Sequence, residues 1–302
     1  MTTSTHPAAS HLAAADGLVR LRNPAGDVAA VSLYGGQVLS WRTADCRERL
    51  YCSPLAAQTR GRAVRGGVPV CFPQFANRGP LVKHGFARTS LWHLAGAPEL
   101  NQETGVASAC LVLQDCVQSR AFWPHGFRVE LQVSMGQGWL EIALQVLNTH
   151  ESAFEFTAAL HTYLAVADVR DAALAGLERV SYIDSLKPLD EQNNEVLFSQ
   201  ANTPLRITGE LDRIYLKTPG ELQLQDREIS SLRIVQSGFA DTVIWNPGPA
   251  KAAALGDMPA ADWTRMLCVE AAQVGLPVVL QPGSRWLGSQ RLTLCVEHAD
   301  RA

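Results

Sequence analysis

Apolar and polar residues alternate in short runs along most of the chain, which is the two-residue period of strands that bury one face. The alternation is clear around the Gly35-Gly36 pair, where Val31 and Leu33 precede the glycines and an apolar stretch at 38–41 follows them. This pattern predicts two strands joined at a turn.

The clearest hairpin signal comes from two strand-forming stretches, 129–135 and 139–147, which are separated by Gly136-Gln137-Gly138. Glycine adopts the positive φ angles of tight turns without a steric penalty. An extended apolar run follows at 154–166. Further short strands are predicted at 213–216, 222–224, 232–236, 242–245, 267–270 and 292–297.

Helical signals are few. One short helical turn is predicted between Val180 and Leu186, and nothing else sustains the helical period of 3.6 residues over several turns. Many short strands with glycine and proline turns predict an all-β fold, a large antiparallel β-sandwich with few short helices. No repeat or long linker interrupts the pattern, so we predict a flexible N-terminal tail at 1–14 followed by a single domain at 15–302.

The composition changes this picture little but excludes several classes of function. The chain has 302 residues, of which 47% are hydrophobic, so it can bury a sizeable core. Its net charge of −3 creates no positive field, and we therefore predict no nucleic-acid and no membrane partner. No apolar stretch reaches 18 residues, and the seven cysteines show no C-x-x-C spacing. We expect a cytoplasmic protein without a structural metal.

Positive charge is concentrated in one place. The segment Arg65–Phe75, with the sequence RGGVPVCFPQF, is followed by Lys83–Arg88, with the sequence KHGFAR. Glycine and proline fix sharp backbone paths here. The planar fork of arginine suits a phosphate group, which it can bind through two parallel hydrogen bonds. The segments are therefore typical of an anion-binding loop, although solvated surface arginines are the simpler interpretation.

These two segments belong to a longer ordered set of motifs. In chain order the set is RGGVPVCFPQF, KHGFAR, ALHTY, DRIY, VIWNPG and CVEAA. Together they resemble the hexose-6-phosphate mutarotase branch of the aldose 1-epimerase-like proteins, over residues 17 to 298. The resemblance implies the galactose mutarotase-like fold, a large β-sandwich, which agrees with the strand pattern.

The resemblance also implies a catalytic pair, His161 in ALHTY and Glu270 in CVEAA. Mutarotation needs a base that removes the proton of the anomeric hydroxyl and an acid that protonates the ring oxygen. Ordinary pKa values of about 4.3 and 6.5 would give a carboxylate and a partly protonated imidazole near neutral pH. From the residues alone, His161 could be a core histidine and Glu270 could point outward from an alternating strand.

Substrate contacts are implied at five further positions. Arg65 and Arg88 are expected to bind the phosphate, Lys83 to face the substrate and Asp212 to contact a sugar hydroxyl. His84 could donate a hydrogen bond to the sugar or only brace its loop. Asp212 could instead pair locally with an arginine, a contact worth little if exposed.

The implied function is cofactor-independent interconversion of the α and β anomers of glucose 6-phosphate or a related hexose 6-phosphate, by a protein that we expect to be a monomer. A non-catalytic carbohydrate- or sugar-phosphate-binding protein is the alternative, because a β-sandwich does not fix function. A glycoside-cleaving enzyme is a weaker possibility, since it normally needs two carboxylates and only Glu270 has a strong claim here.

Overall fold

The structure is a computed structural model that describes residues 17–56, 61–226 and 231–295. The tail predicted at 1–14 lies outside these residues. The prediction of a single domain over 15–302 stays a prediction.

Strands dominate the described residues, and helices are short. The strands are β1 (Leu18–Arg22), β2 (Val28–Ser32), β3 (Gln37–Arg42), β4 (Val70–Cys71), β5 (His93–Leu94), β6 (Glu99–Leu100), β7 (Ala107–Gln114), β8 (Phe127–Gly136), β9 (Trp139–Asn148), β10 (Phe154–Leu160), β11 (Tyr163–Ala165), β12 (Ala173–Ala175), β13 (Ser181–Asp184), β14 (Leu197–Ser199), β15 (Leu211–Tyr215), β16 (Glu221–Gln225), β17 (Leu232–Ser237), β18 (Asp241–Asn246), β19 (Met266–Leu280) and β20 (Arg285–Leu294). The α-helices are α1 (Val117–Phe122) and α2 (Gly248–Ala254), and single 3₁₀ helices span Ala87–Thr89 and Ala260–Arg265.

The strands form two large sheets and a small one. The first large sheet has the order β14-β13-β15-β18-β19-β10-β4, with β11 also paired to β19. The second has the order β12-β16-β17-β20-β9-β8-β7-β5, with β6 paired to β7, and β1, β2 and β3 form the small sheet. Neighbouring strands within all three sheets pair in the antiparallel sense.

The main core lies between the two large sheets and includes residues from the small one. Phe156 of β10 packs edge-on against Trp286 of β20, with ring centroids 5.6 Å apart. Gln290 of β20 is fully buried and donates from Nε2 to the carbonyl oxygen of Val269 in β19, at 3.0 Å. The Thr162 hydroxyl donates in turn to Oε1 of Gln290. These hydrogen bonds of Gln290 join the two sheets, and the buried polar groups that take part in them all have partners.

The prediction of a large antiparallel β-sandwich with few short helices is confirmed. The hairpin around Gly138 is β8 and β9, and the pair around Gly35-Gly36 is β2 and β3. The run predicted at 154–166 is interrupted after Leu160 and resumes at Tyr163.

One element was predicted wrongly and several were missed, among them strand β7 and both α-helices. The stretch from Val180 to Leu186 contains strand β13, because Tyr182 and Ile183 are held by β14 on one side and β15 on the other. Tertiary pairing overrides a local spacing of this length. Helices α1 and α2 have six and seven residues, fewer than two turns, so neither can show a helical period. No helix of the described residues is long and apolar enough to cross a membrane.

Candidate active site

Strand register brings His161 and Glu270 together. Leu160 pairs with Ala271, and Tyr163, three residues later, pairs with Cys268, three residues earlier in β19. The two residues between these pairs on each strand therefore face each other, which sets His161 opposite Glu270. Alternation along a strand directs both side chains to the same face of the first large sheet.

That face points away from the main core. The row of cross-strand neighbours that contains His161 and Glu270 continues through Val243, Ile214 and Ile183. All five residues line one cavity of about 440 Å³, a size typical of small-molecule sites. The face of the sheet to which Glu270 points therefore forms the floor of this cavity and does not face open solvent.

The two cationic segments close over this floor. At Gly67, with φ of +59°, a Cβ would lie 2.0 Å from the carbonyl oxygen of Val38, and at Gly85, with φ of +68°, it would lie 2.1 Å from that of Phe72. Both positions require glycine, since the backbone is left-handed and another strand or loop approaches closely. The glycines of the two motifs therefore serve close packing of the loops that carry Arg65 and Arg88.

The structure brings all the predicted site residues to this one cavity. Its lining includes the predicted catalytic pair and the five predicted contacts, which are Arg65, Lys83, His84, Arg88, His161, Asp212 and Glu270. A larger and more open groove of about 1,090 Å³, lined by residues such as Tyr51 and Arg265, contains none of them.

The predicted catalytic pair is buried and in contact. Nε2 of His161 lies 3.3 Å from Oε1 of Glu270, and the two residues are only 8% and 1% exposed. Within the described residues, Oε2 of Glu270 and Nδ1 of His161 have no hydrogen-bond partner. Buried polar atoms without partners are rare in folded proteins, and here they lie beside a cavity that a ligand can fill.

Burial moves the two pKa values in opposite directions. It raises the pKa of Glu270 well above its ordinary value, with Asp212 adding to the rise and Arg88 and Lys83 opposing it. Burial, followed by the positive charge of Arg88, lowers the pKa of His161 to about 3. The expectation of a partly protonated imidazole near neutral pH is therefore wrong for the free protein. Burial instead favours the neutral carboxyl of Glu270 together with the neutral imidazole of His161.

Cys268 completes a group that could hold a metal ion. One ligand atom each from His161, Cys268 and Glu270 lie within 4.8 Å of one another, and all three residues are buried. Sequence spacing missed this group because its members come from two strands. Metal ligation requires a thiolate, however, and burial raises the pKa of Cys268 well above its ordinary value. The prediction that no metal takes part stays a prediction.

The cations are held by their neighbours in different ways. Nε of Arg65 donates to Oδ1 of Asp257 at 2.7 Å, and Nη2 of Arg88 donates to the carbonyl oxygen of Lys83 at 2.8 Å. Nε of Arg88 is buried and has no partner within the described residues. A buried guanidinium N–H without an acceptor is a donor available for an anionic ligand.

His84 is fixed as a neutral hydrogen-bond donor. The backbone N–H of Ala76 donates to its Nδ1 at 3.3 Å, and Sγ of Cys71 lies 3.2 Å from the same atom. Burial, together with His161 and the nearby cations, lowers the pKa of His84 to about 2. Because Nδ1 accepts, the proton of the neutral ring lies on Nε2. The ring therefore braces its loop through one nitrogen and keeps an N–H at the other.

Asp212 lies in the second row of the cavity floor. It pairs with Trp245, which pairs in turn with Cys268. Burial raises the pKa of Asp212, while Lys251 and a hydrogen bond with Ser185 oppose the rise. Among the described residues no ion pair joins Asp212 to an arginine, and Arg213 contacts Asp184 instead, at 3.5 Å.

Several lining residues were not predicted. Lys187, Glu195 and Lys251 come from a loop and a short helix that carry no motif. Arg78, in the loop after β4, pairs with Glu195, in the loop between β13 and β14. Tyr163 could have been found, because it lies two residues after His161 in a strand and therefore shares its face.

Comparisons with known proteins agree with this geometry. A family model described as aldose 1-epimerase matches residues 17–293. A provisionally named glucose-6-phosphate 1-epimerase from Cenchrus ciliaris is 35% identical over 276 residues, covering 89% of this chain and 82% of the relative. A protein with the same provisional name from Escherichia coli (strain K12) is 34% identical over 249 residues, covering 81% and 79%.

Solved structures show the same fold. The crystal structure of a provisionally named mutarotase from Salmonella typhimurium has a TM-score of 0.81 at 27% identity and covers 92% of this chain and 90% of its own. A galactose mutarotase-like protein from Lactobacillus casei ATCC 334 has a TM-score of 0.69 at 16% identity, covering 92% and 100%. The expectation of a galactose mutarotase-like fold is confirmed.

The buried carboxyl should destabilise the fold at neutral pH. The pKa of Glu270 is raised above its ordinary value of 4.5 in the folded chain, so the unfolded chain releases this proton first as the pH rises. The contribution of Glu270 to stability is therefore full below about pH 4.5 and falls as the pH approaches the folded pKa. We expect Glu270→Gln to raise the free energy of unfolding at about pH 8 by roughly 1 to 3 kcal/mol, and by little at about pH 4. Urea unfolding at the two pH values measures this; a gain that is independent of pH would contradict the raised pKa.

Proposed function

Because the chain belongs to the aldose 1-epimerase family and is an isomerase of the mutarotase type, we propose that it interconverts the α and β anomers of glucose 6-phosphate or a closely related hexose 6-phosphate. One observation carries the proposal: a buried acid/base pair, His161 and Glu270, lies 3.3 Å apart on the floor of a cavity whose lining includes Arg65, Lys83 and Arg88. The pair suits proton transfer at the anomeric centre. The cations suit a phosphate on the same sugar.

The reaction needs two proton transfers and no redox step. We propose that the Glu270 carboxylate takes the proton of the C1 hydroxyl while the His161 imidazolium gives a proton to the ring oxygen, as the C1–O5 bond breaks. The open-chain aldehyde rotates about C1–C2. As the ring closes on the other face, Glu270 gives its proton to the C1 oxygen and His161 takes a proton back from the C5 hydroxyl, which leaves the protein unchanged.

The phosphate helps to set up this proton arrangement. In the free protein burial favours a protonated Glu270, and the positive charge of Arg88, Arg65 and Lys83 helps to lower the pKa of His161. A bound phosphate carries a charge of about −1.5 to −2 at neutral pH and offsets those cations. We infer that substrate binding raises the pKa of His161 and favours transfer of the shared proton from Glu270 to the imidazole.

The phosphate anchors the substrate and takes no part in the reaction. It is attached at C6, remote from C1, so its binding energy can position the ring over the catalytic pair. We propose that Arg65 and Arg88 bind the phosphate, that Lys83 adds charge, and that Asp212 and Nε2–H of His84 contact sugar hydroxyls. The buried Nε of Arg88, which has no partner within the described residues, supports an anion at this position.

Family membership weighs against the alternative of a non-catalytic sugar-phosphate-binding protein. Binding alone also gives no reason to bury a carboxyl next to a histidine, an arrangement that is costly unless it serves chemistry. The expectations of a cofactor-independent reaction and of a monomer stay predictions.

We expect Glu270→Gln and His161→Asn each to lower anomer exchange of glucose 6-phosphate by at least ~100-fold, because positioned general acids and bases commonly supply factors of 10² to 10⁴. Both substitutions keep the shape of the side chain and remove its proton-transfer role. Exchange NMR of the anomeric protons measures the rate, and calorimetry should show that ligand binding is largely retained.

Glu141→Gln and His150→Asn are matched controls, since these residues lie outside the cavity lining. Both controls should exchange the anomers at the wild-type rate. Near-wild-type exchange by either active-site variant would remove that residue from the catalytic pair.

We expect a strong preference for glucose 6-phosphate over glucose in kcat/KM, and a selective loss of this preference in Arg65→Ala and Arg88→Ala. Each charge-assisted contact is worth about 1.5 to 3 kcal/mol, which corresponds to roughly tenfold to a hundredfold. Exchange rates for both sugars, measured at fixed ionic strength because salt screens exposed charges, give the comparison.

Arg120→Ala is the control for these variants, because Arg120 pairs with Asp115 outside the cavity lining. It should leave the rates for both sugars unchanged. If wild type handles glucose as well as the phosphate, or if the two active-site variants slow both sugars equally, the phosphate assignment is wrong and a free aldose becomes the leading substrate.

A further inference from the structure

Tyr163 contacts both His161 of the predicted catalytic pair and Arg65 of the predicted phosphate site. It begins β11 two residues after His161 and is only 5% exposed, yet it lines the cavity. Its ring stacks on the imidazole of His161, with centroids 4.9 Å apart and an angle of 13° between the planes. The aromatic face of Tyr163 therefore defines one side of the space that the imidazole can occupy.

The other end of the same side chain reaches the cation at Arg65. Nη1 of Arg65 donates to the Tyr163 hydroxyl oxygen across a long contact of 3.5 Å. Arg65 itself is held in place by Asp257, which accepts from Nε at 2.7 Å. The guanidinium also lies over the ring of Trp245, 5.9 Å from its centroid. These three contacts fix the guanidinium at the wall of the cavity.

The hydroxyl of Tyr163 has an unused donor. A phenol offers one O–H donor as well as acceptor lone pairs. Within residues 17–56, 61–226 and 231–295, the oxygen accepts from Arg65 and its O–H meets no acceptor. Burial raises the pKa of Tyr163 well above its ordinary value, so the proton stays on the oxygen. A buried donor without an acceptor is unfavourable, and a ligand oxygen beside Arg65 would satisfy it.

We propose that the Tyr163 hydroxyl is a further substrate contact, donating a hydrogen bond to the phosphate oxygen that Arg65 binds, while its ring positions the imidazole of His161. This inference rests on the proposed function for the identity of the anion. One side chain then contacts both the anchoring group of the substrate and the acid that acts on its ring oxygen.

Two substitutions separate the roles of the hydroxyl and the ring. Tyr163→Phe removes the O–H and keeps the stacked ring, so the Kd and KM of glucose 6-phosphate should rise roughly tenfold while kcat stays near the wild-type value. The rate constant for free glucose should not change. Tyr163→Leu also removes the flat face beside the imidazole, and kcat should fall at least roughly tenfold further. Tyr34→Phe is the matched control, since the Tyr34 hydroxyl donates to the carbonyl oxygen of Arg62 outside the cavity lining.

Calorimetry with glucose 6-phosphate and exchange NMR with both sugars give independent results, after circular dichroism has shown that each variant is folded. Unchanged glucose 6-phosphate binding by Tyr163→Phe, or equal weakening of both sugars, would overturn the hydroxyl contact. Wild-type kcat in Tyr163→Leu would overturn the positioning role. Absence of exchange in wild type would instead overturn the proposed function, and the calorimetric comparison would still test the hydroxyl contact with the same anion.

Discussion

The candidate site depends on one constraint, the register that sets His161 opposite Glu270. The pairs Leu160–Ala271 and Tyr163–Cys268 fix this register on both sides of the two residues. Behind them, Gln290 from the opposite sheet bonds to Thr162 and to Val269, the residues that alternate with the pair and face the core. A slip of one residue in either strand would turn the predicted catalytic side chain of that strand into the apolar core and its core residues into the cavity. The packing of the sandwich therefore sets the geometry of the proposed proton transfer.

Placing a carboxyl and an imidazole on a buried floor has an electrostatic consequence. Burial opposes charge on both groups, so the free protein favours the neutral pair, and the cations at the rim oppose protonation of the histidine. The proposed substrate supplies the missing charge through its phosphate. In this account the anchoring group contributes twice, by holding the sugar over the pair and by offsetting the cations that hold His161 neutral. The phosphate and the catalytic pair then belong to one electrostatic system, with Tyr163 in contact with both His161 and Arg65.

The fold class could be predicted from the sequence, because period-2 alternation and glycine turns are local signals of antiparallel strands. The hairpin at Gly138 illustrates this. The site residues came from ordered motifs, and the structure brings them to one cavity. Three features could not be read from the chain. Strand β13 depends on partners distant in sequence, the lining lysines Lys187 and Lys251 carry no local signal, and the pKa shift of His161 follows from burial and neighbouring charges that only the folded chain assembles.

We propose that the protein exchanges the anomers of a sugar phosphate in this cavity. Magnetisation-transfer NMR on the α and β anomeric protons of glucose 6-phosphate, with catalytic amounts of wild-type protein, tests it most directly. We expect transfer between the two signals that grows in proportion to protein concentration and exceeds the spontaneous rate in buffer. Transfer at the buffer rate, in a sample in which calorimetry detects binding of the same compound, would contradict the account and favour a protein that binds the sugar phosphate without converting it.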